Sequence, residues 1–308
     1  MKAKLIPLLL VFSLLCGCAA APSASDAEGV SFTDDLGRTV TVNQPKRVAC
    51  LLGSFAQIWQ LAGGEVIATA DDAWDDLQLE LSEDCVNLGR INELSLELLL
   101  SAQPDLILAS ANTRQNLEWK EALESTGIPT AYCNVADFAD YLRLLKLCTG
   151  ITGRQDLYEK NGLAVQQQID AVLEQAENRG TSPTVLCMRA SAAMVTVKNS
   201  QDNVLGEMLK SLGCVNIADS DETLLENLSI EKILLEDPDY IFIVQRGDDT
   251  EGMKAYVKAM MEENPIWQQL TAVQEGRLFF MDKNLYNLKP NHRWGEAYEE
   301  LEEILEHG

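Results

Sequence analysis

Residues 94–108 read LSLELLLSAQPDLIL, and residues 228–242 read LSIEKILLEDPDYIF. Both stretches begin with L-S-x-E, continue as an apolar run of helical length, and pass through Pro-Asp into a strand-like segment. Proline ends a helix because its ring blocks a helical hydrogen bond, and it favours an extended residue before it. One such unit could arise by chance. Two units, one on each side of a long helical segment, predict two similar lobes.

The chain around these stretches alternates between strands and helices. Residues 30–42 (VSFTDDLGRTVTV) alternate in polarity about a D-L-G-R turn, which predicts a β-hairpin. Further strands are predicted at 47–52, 65–70, 105–110, 130–134, 184–189, 194–198, 240–244 and 277–281. Helices are predicted near 54–61, 95–103, 115–126, 138–148, 203–212, 229–236, 250–263 and 293–307. Short apolar strands that alternate with helices are typical of mostly parallel sheets covered on both faces.

The segment 153–179 has a different pattern. Its apolar residues recur at spacings of three and four, with glutamine and glutamate between them, and no proline interrupts it. This pattern predicts one long amphipathic helix, which Gly180 and Pro183 end. We therefore expect an N-terminal α/β lobe at 30–152 and a C-terminal α/β lobe at 180–308.

The N-terminus has the features of an export signal. Lys2 and Lys4 precede an apolar run at 5–15 that is too short to span a bilayer. The sequence LCGC follows, with the small residue Gly17 directly before Cys18, as in a lipobox. We predict a lipoprotein signal peptide at 1–17 and lipidation of Cys18. A plain cleaved secretory signal is the alternative, which we rank below lipidation.

Residues 18–29 are small and polar, so they cannot bury enough apolar area to fold and predict a flexible tether. The folded part is then extracytoplasmic and lipid-anchored to the cell membrane. Without the two signal-peptide lysines, 22 basic and 48 acidic residues remain, a net charge of −26. Such a surface repels nucleic acid, which excludes nucleic-acid partners. We expect a monomer.

The motifs of common enzyme and metal sites are absent from the sequence. It has no phosphate-binding loop, no dinucleotide fingerprint, no G-x-S-x-G and no H-E-x-x-H. Its two histidines, His292 and His307, are too few for a histidine-based metal site. We predict no catalytic residues, no protein-bound metal and no intrinsic cofactor. The six cysteines after Cys18 include no C-x-x-C, and we favour buried free thiols, although the sequence cannot decide their pairing.

The sequence also resembles a known family over nearly all of the chain after Cys18. The resemblance rests on the doubled motif above, the long central helix, TDDLGRTVTV at 33–42, TGIP at 126–129 and AVQEGRLFFMD at 272–282. It is similar to the substrate-binding proteins of iron-complex and vitamin B12 ABC importers. The resemblance implies two Rossmann-like α/β lobes joined by a single long rigid helix, with a ligand cleft between the lobes. It also implies that the ligand is a metal complex and that the partner is the permease.

In that family one exposed glutamate on each lobe docks onto arginines of the permease. The matching residues here are Glu97 and Glu231, each at the L-S-x-E position. The alternative is that both are ordinary acids favoured at the positive end of a helix.

Ligands of open α/β sheets bind beyond the carboxyl ends of the strands. Basic residues collect there in this otherwise acidic chain, and guanidinium groups suit carboxylates and catecholates. Trp74, Tyr286 and Trp294 could pack flat against a ring or macrocycle. The predicted ligand-binding residues are Trp74, Arg114, Arg189, Arg246, Tyr286, His292 and Arg293. These residues favour a ferric siderophore or haem as the ligand, with cobalamin, or a sensor or enzyme on the same fold, as alternatives.

The first testable prediction concerns the lipid anchor. Mass spectrometry of the membrane-fraction protein should find an N-terminus that begins at diacylglyceryl-modified Cys18. Cys18→Ala should release the protein from the membrane, whereas Cys16→Ala should leave it anchored, because bulky Leu15 precedes Cys16. An unmodified N-terminus beyond Cys18 in the parent protein contradicts the prediction.

Overall fold

The computed structural model describes residues 29–201, 203–220, 223–226 and 228–308. The predicted signal peptide, Cys18 and all of the predicted tether except Gly29 lie outside the described residues. Within the described part, no helix is both long enough and apolar enough to span a membrane.

The chain opens with the predicted hairpin, β1 (Val30–Thr33) paired antiparallel with β2 (Thr39–Val42). Asp34 in its turn accepts hydrogen bonds from the backbone of Arg38 at 2.9 Å and from the Arg38 guanidinium at 2.6 Å. It also accepts one from the Tyr132 backbone at 3.1 Å. Burial opposes the ionised carboxylate, but these bonds hold the pKa of Asp34 below its usual value. The hairpin is thereby fastened to the first lobe.

The N-terminal lobe is a parallel five-stranded sheet with helices between its strands. The strands are β3 (Val48–Cys50), β4 (Val66–Thr69), β5 (Val86–Asn87), β6 (Leu106–Ser110) and β7 (Thr130–Cys133), in the order β5-β4-β3-β6-β7. The helices are α1 (Gly53–Leu61), α2 (Asp72–Asp75), α3 (Leu96–Ser101), α4 (Arg114–Glu118), α5 (Lys120–Thr126) and α6 (Phe138–Thr152). The strand order reverses between β3 and β6, which makes their carboxyl ends the switch point of the sheet.

A helical segment of 25 residues links the lobes. It comprises α7 (Gln155–Tyr158), a π-helical turn (Glu159–Leu163) and α8 (Ala164–Arg179). Gly153 takes a left-handed φ of 73° and caps α6, so the linking segment begins two residues later than predicted. Gly180, with a φ of 70°, ends it as predicted.

The C-terminal lobe repeats this plan. Its strands are β8 (Thr184–Ala190), β9 (Val195–Lys198), β10 (Val215–Asn216), β11 (Tyr240–Gln245) and β12 (Leu278–Met281). The order β10-β8-β11-β12 is parallel, and β9 pairs antiparallel with β8. The helices are α9 (Val204–Ser211), α10 (Thr223–Glu226), α11 (Ile230–Glu236), α12 (Thr250–Glu263), α13 (Thr271–Gln274), α14 (Lys283–Tyr286) and α15 (Trp294–His307). The predicted two-lobed α/β fold is confirmed.

Both lobes contribute to one hydrophobic core, which the linking segment helps to form. α15 packs along α8, and the Trp294 ring lies edge-on to Phe138 of the first lobe, with centroids 6.2 Å apart. Buried inside this packing, Arg179 of α8 forms an ion pair with Glu302 of α15 and donates to the Leu212 carbonyl at 2.8 Å. The two lobes are therefore joined by a second helix as well as by the linking segment.

The cysteines of the described chain are free thiols. Cys50, Cys133, Cys148, Cys187 and Cys214 are buried, and Cys85 is half-buried. Burial raises the pKa of each of these thiols, to about 12 for Cys148 and about 11 for Cys85. At neutral pH they remain protonated and act as small apolar side chains.

The buried ion pair yields a stability prediction. Arg179→Met leaves the Glu302 carboxylate buried without a counter-charge, so the free energy of unfolding should fall by about 3–5 kcal/mol. Adding Glu302→Leu should restore most of the loss, because an apolar pair of similar volume needs no compensation. Urea unfolding followed by tryptophan fluorescence measures both changes.

The matched control is Lys258→Met, which removes the exposed ion pair between Lys258 and Glu262. It should change the free energy of unfolding by less than about 1 kcal/mol. If the double variant at 179 and 302 is as unstable as Arg179→Met alone, lost packing rather than the unpaired charge is responsible.

Candidate functional site

The loops at the carboxyl ends of the two sheets meet in a cleft between the lobes. Asn291, just before α15, donates to the Ser54 carbonyl at the start of α1 at 3.1 Å and to Gln57 Oε1 in the middle of α1 at 2.7 Å. Lys283, which follows β12, reaches Asp76 of the first lobe at 2.6 Å. These contacts bring together the strand ends at which the sequence predicts ligand binding.

A cavity in this cleft has a volume of about 810 Å³ and takes its lining from both lobes. Its lining residues include Asp75, Asp76, Gln78, Gln245, Asp248, Thr250, Lys254, Asp282, Lys283 and Glu300. Five of these are acidic and two are basic. The wall of this cavity is therefore more acidic than the sequence predicts.

Lys283 is neutralised within this cavity. Its ammonium lies 2.6 Å from Asp76 and 2.5 Å from Asp248, so it joins the two lobes across the cleft. Burial favours the neutral amine, but the two carboxylates outweigh it and raise the pKa of Lys283 above its usual value. Lys283 is thus a structural link between the lobes.

Arg189 and Arg246 lie together at the switch point of the second sheet. Arg189 is the penultimate residue of β8, Arg246 follows β11, and the Arg246 backbone donates to the Ala190 carbonyl at 2.7 Å. Gln245, the residue before Arg246, lines the large cavity. Within the described chain neither guanidinium has a carboxylate partner, and the buried Nε of Arg189 has no hydrogen-bond acceptor. Burial and the positive charge of Arg246 lower the pKa of Arg189.

A second cavity, of about 310 Å³, shares Asp76, Gln78 and Asn284 with the large one. It holds three basic residues, Lys289, His292 and Arg293. Two of these differ sharply in their pairing. Arg293 is bound by Glu296 through two hydrogen bonds of 2.5 and 2.7 Å, whereas Lys289 has no ion pair among the described residues.

The environment of this second cavity disfavours extra positive charge. Burial lowers the pKa of Lys289, although the nearby Asp72 opposes the shift. Desolvation by the surrounding protein and the charge of Arg293 lower the pKa of His292. An anion in this cavity would relieve both effects.

Some predicted site residues line neither of these cavities, and Arg189 and Arg246 are among them. Arg114, at the start of α4, has a side chain that is 90% exposed and pairs with Glu118 at 2.7 Å. Trp74 is half-buried on α2 and lines neither cavity.

The prediction that Tyr286 contacts ligand is wrong. Its ring is fully buried in the shared core, and its hydroxyl lies 3.0 Å from both the Ala297 carbonyl and a Glu300 carboxylate oxygen. A side chain that is enclosed and hydrogen-bonded in this way offers no surface to a ligand. The Trp294 ring is also buried in this core, so the prediction that it packs against a ligand is wrong as well.

Several residues of the cleft were missed by the sequence interpretation. Asp76 and Asp248, which neutralise Lys283, stand in the acidic runs DDAWDD and RGDD that follow strands. Asn291 was missed as well, although it is fully buried, bridges the lobes and has a left-handed φ of 53°. The acidic runs are visible in the sequence, but the sequence does not show that two of their carboxylates contact Lys283.

Glu97 and Glu231 occupy equivalent places in the two lobes. Each lies exposed in the first turn of its helix, α3 or α11. Ser95 caps α3 by accepting from the Leu98 backbone at 3.2 Å, and the Ser229 hydroxyl bonds Glu231 at 3.3 Å. Neither glutamate forms an ion pair within the described ranges, so both remain open to a partner.

Comparison with known proteins identifies the family. The model of the family "Periplasmic binding protein" matches residues 48–285. The chain is 28% identical to the Fe(3+)-citrate-binding protein YfmC of Bacillus subtilis, covering 92% of this chain and 91% of YfmC. Staphylococcus aureus SirA complexed with staphyloferrin B superposes with a TM-score of 0.69 at 20% identity, covering 90% of this chain and 98% of SirA. BtuF, the vitamin B12 binding protein of Vibrio cholerae, gives 0.69 at 19% identity, with 85% and 97% covered.

The family match spans most of both lobes, including β3, the linking segment and α14. It confirms the resemblance inferred from the doubled L-S-x-E motif, and the solved structures share the two-lobed fold described above. The chain belongs to the periplasmic binding protein family.

Proposed function

We propose that this protein is the extracytoplasmic substrate-binding protein of an ABC importer and that it captures an anionic ferric complex. A siderophore with carboxylate or catecholate groups, or haem through its propionates, has the required charge. The observation that carries the proposal is the pair Arg189 and Arg246, which has no carboxylate partner in the described chain and lies at the carboxyl ends of β8 and β11. Gln245, the residue before Arg246, lines the interlobe cavity. The metal arrives inside the ligand, and the protein needs no catalytic residue. Lipid at Cys18 would hold the protein at the membrane beside the permease.

The charge of the Arg pair supports an anionic ligand. Two neighbouring guanidinium groups repel each other, and the buried Arg189 Nε lacks an acceptor. An oxyanion that bonds both groups removes the repulsion and supplies the acceptor. Planar guanidinium groups bind carboxylate or catecholate oxygens through two parallel bonds, which adds geometric selectivity. Lys289 in the adjoining cavity provides a further cation for a larger ligand.

The size of the cleft fits a metal complex. A volume of about 810 Å³ lies within the usual range of about 300–1,000 Å³ for small-molecule sites. The name of YfmC, an Fe(3+)-citrate-binding protein, supports the same ligand class.

A corrinoid such as cobalamin is the second candidate. It is favoured by the acidic wall of the large cavity, which suits a neutral or cationic ligand better than an anionic one. The affinity of the Arg variants described next separates the two candidates, because a corrinoid would not require the guanidinium pair.

Replacing both arginines tests the proposed ligand class. A charge-assisted bond contributes about 1.5–3 kcal/mol, and 1.4 kcal/mol corresponds to a factor of ten in affinity. Arg189→Ala with Arg246→Ala should therefore weaken binding of the anionic ferric ligand by about two to four powers of ten. Titration of ferric citrate, a ferric catecholate, haem and cobalamin, followed by tryptophan fluorescence, measures the change.

Arg114→Ala is the matched control, because Arg114 is exposed and already paired with Glu118. It should leave the affinity within about twofold. Unchanged affinity of the double variant for a ferric anion contradicts the proposal. Tight binding of cobalamin alone moves the second candidate to first place.

Docking through Glu97 and Glu231 is the second part of the proposal. Glu97→Arg with Glu231→Arg should abolish uptake of the ferric ligand, because like charges would then meet at the permease, while ligand affinity stays unchanged. Glu121→Arg with Glu251→Arg is the matched control, since these glutamates are also exposed and in the first turns of α5 and α12. Uptake of radioactive iron by cells and ligand titration of the purified protein give the two readouts. If both double variants take up iron equally, Glu97 and Glu231 have no docking role and are ordinary acids at the start of a helix.

A further inference from the structure

Each of the two helices that carry the paired glutamates also exposes leucine. On α3, Leu98 is 43% exposed and Leu100 is 37% exposed. On α11, Leu235 is 83% exposed, more than any other large apolar side chain in the described chain. Single exposed leucines are normal on protein surfaces. Their recurrence beside equivalent glutamates on two separate lobes needs a common explanation.

The helical positions place these leucines around the glutamates. Successive residues of an α-helix are about 100° apart around the axis. Glu97 is therefore nearly opposite Leu99, which is fully buried, and Leu98 and Leu100 flank Glu97 on the outer side. The exposed side of α3 is thus an acidic group between two apolar ones.

The same geometry holds on α11. Glu231 is nearly opposite Ile233, which is fully buried, and Leu235 lies one turn beyond Glu231 on the same outer side. Both helices consequently present a carboxylate next to apolar surface. We call these two surfaces, formed by Glu97 with Leu98 and Leu100 and by Glu231 with Leu235, the paired faces.

We propose that the leucines of the paired faces contact the permease and exclude water from the glutamate contacts. This inference rests on the proposed function and adds an apolar component to its docking surface. The permease surface that fits has two such sites, one for each lobe. Each site is a basic side chain surrounded by apolar area.

The strength of ion pairs explains why the leucines matter. An ion pair between exposed side chains contributes little, because water screens it. The same pair is stronger where surrounding apolar contacts exclude water, as they do around the energetically dominant residues of protein interfaces. Two isolated glutamates would hold a permease weakly, whereas two glutamates bordered by leucine would hold it more firmly.

A lipid surface fits the paired faces less well than a protein does. Glu97 lies between Leu98 and Leu100, so burying those leucines in a bilayer would bring its carboxylate to the headgroups. Anionic headgroups repel it, and no lysine or arginine on the six residues of α3 offsets that repulsion. The charge of the α3 face therefore favours a basic protein partner over a lipid surface.

The test compares alanine variants of the paired faces with controls of similar exposure. The variant Leu98→Ala, Leu100→Ala, Leu235→Ala is set against Leu117→Ala with Val215→Ala, which alter leucine and valine that are 38% and 52% exposed elsewhere on the two lobes. In cells whose own copy of the gene is deleted, uptake of radioactive ferric citrate and of a ferric catecholate should fall about tenfold or more for the triple variant. The control should transport normally, and both proteins should bind ligand like the parent.

Photocrosslinking identifies what the paired faces touch. The analogue p-benzoylphenylalanine is placed at position 98 or 235 and, as a control, at 117 or 215. We expect a covalent adduct with the membrane-spanning subunit of an ABC importer, identified by mass spectrometry, from positions 98 and 235 only.

Three outcomes overturn the inference. They are adducts with lipid alone, equal loss of uptake in the control, or normal uptake by the triple variant while Glu97→Arg with Glu231→Arg abolishes it. The last outcome leaves the proposed function intact. If the parent protein binds none of the ferric complexes and supports no uptake, the proposed function itself is wrong.

Discussion

Tyr286 and Trp294 are buried in a core that receives side chains from both lobes, and the segment between them forms one wall of the cleft. Because both ends of this short segment are fixed by buried aromatic rings, the residues between them have little freedom. Lys289 and His292 are held toward the smaller cavity, and Asn291 is held against the start of α1. The packing of two aromatic side chains thus positions polar groups that the strands themselves do not carry. Removing either ring would disturb the core and the cleft together.

Much of the fold could be predicted because it follows from local patterns. Apolar strands separated by amphipathic helices, and the Pro-Asp turn that ends α3, depend on residues close together in the chain. The two-residue strands β5 and β10 were missed, since a strand that short has no periodicity to detect. The single helix predicted at 115–126 is instead two helices that meet at Trp119. No proline or glycine marks this break in the sequence. Tertiary packing decides such details.

The site was less predictable than the fold, because it depends on which side chains meet across the cleft. Arg189 and Arg246 do lie at strand ends as expected, since both positions follow from strand boundaries, and their contact with a ligand stays a prediction. The rule that ligands bind at strand ends could not reveal that Lys283 is neutralised by Asp76, a residue 207 positions earlier in the chain. Nor could it separate Tyr286, which turns into the core, from residues that face the cleft. Sequence patterns locate the strand ends, but they do not show which charged side chains contact each other there, because that depends on the three-dimensional structure.

The basic residues at the strand ends differ in whether their charge is balanced, and this difference affects which ligand binds. Lys283 is held by two carboxylates and links the lobes, so its charge is already balanced, while the Arg pair remains unbalanced. Charges farther apart than about 8 Å are largely screened at physiological salt, so the protein's overall acidity affects the approach of a ligand more than its bound state. A ligand whose negative charge is concentrated at one end can meet the arginines and keep that charge away from the acidic wall. A ligand with the same charge spread over its whole surface cannot. The cleft should therefore select for where the charge lies on the complex as well as for its sign.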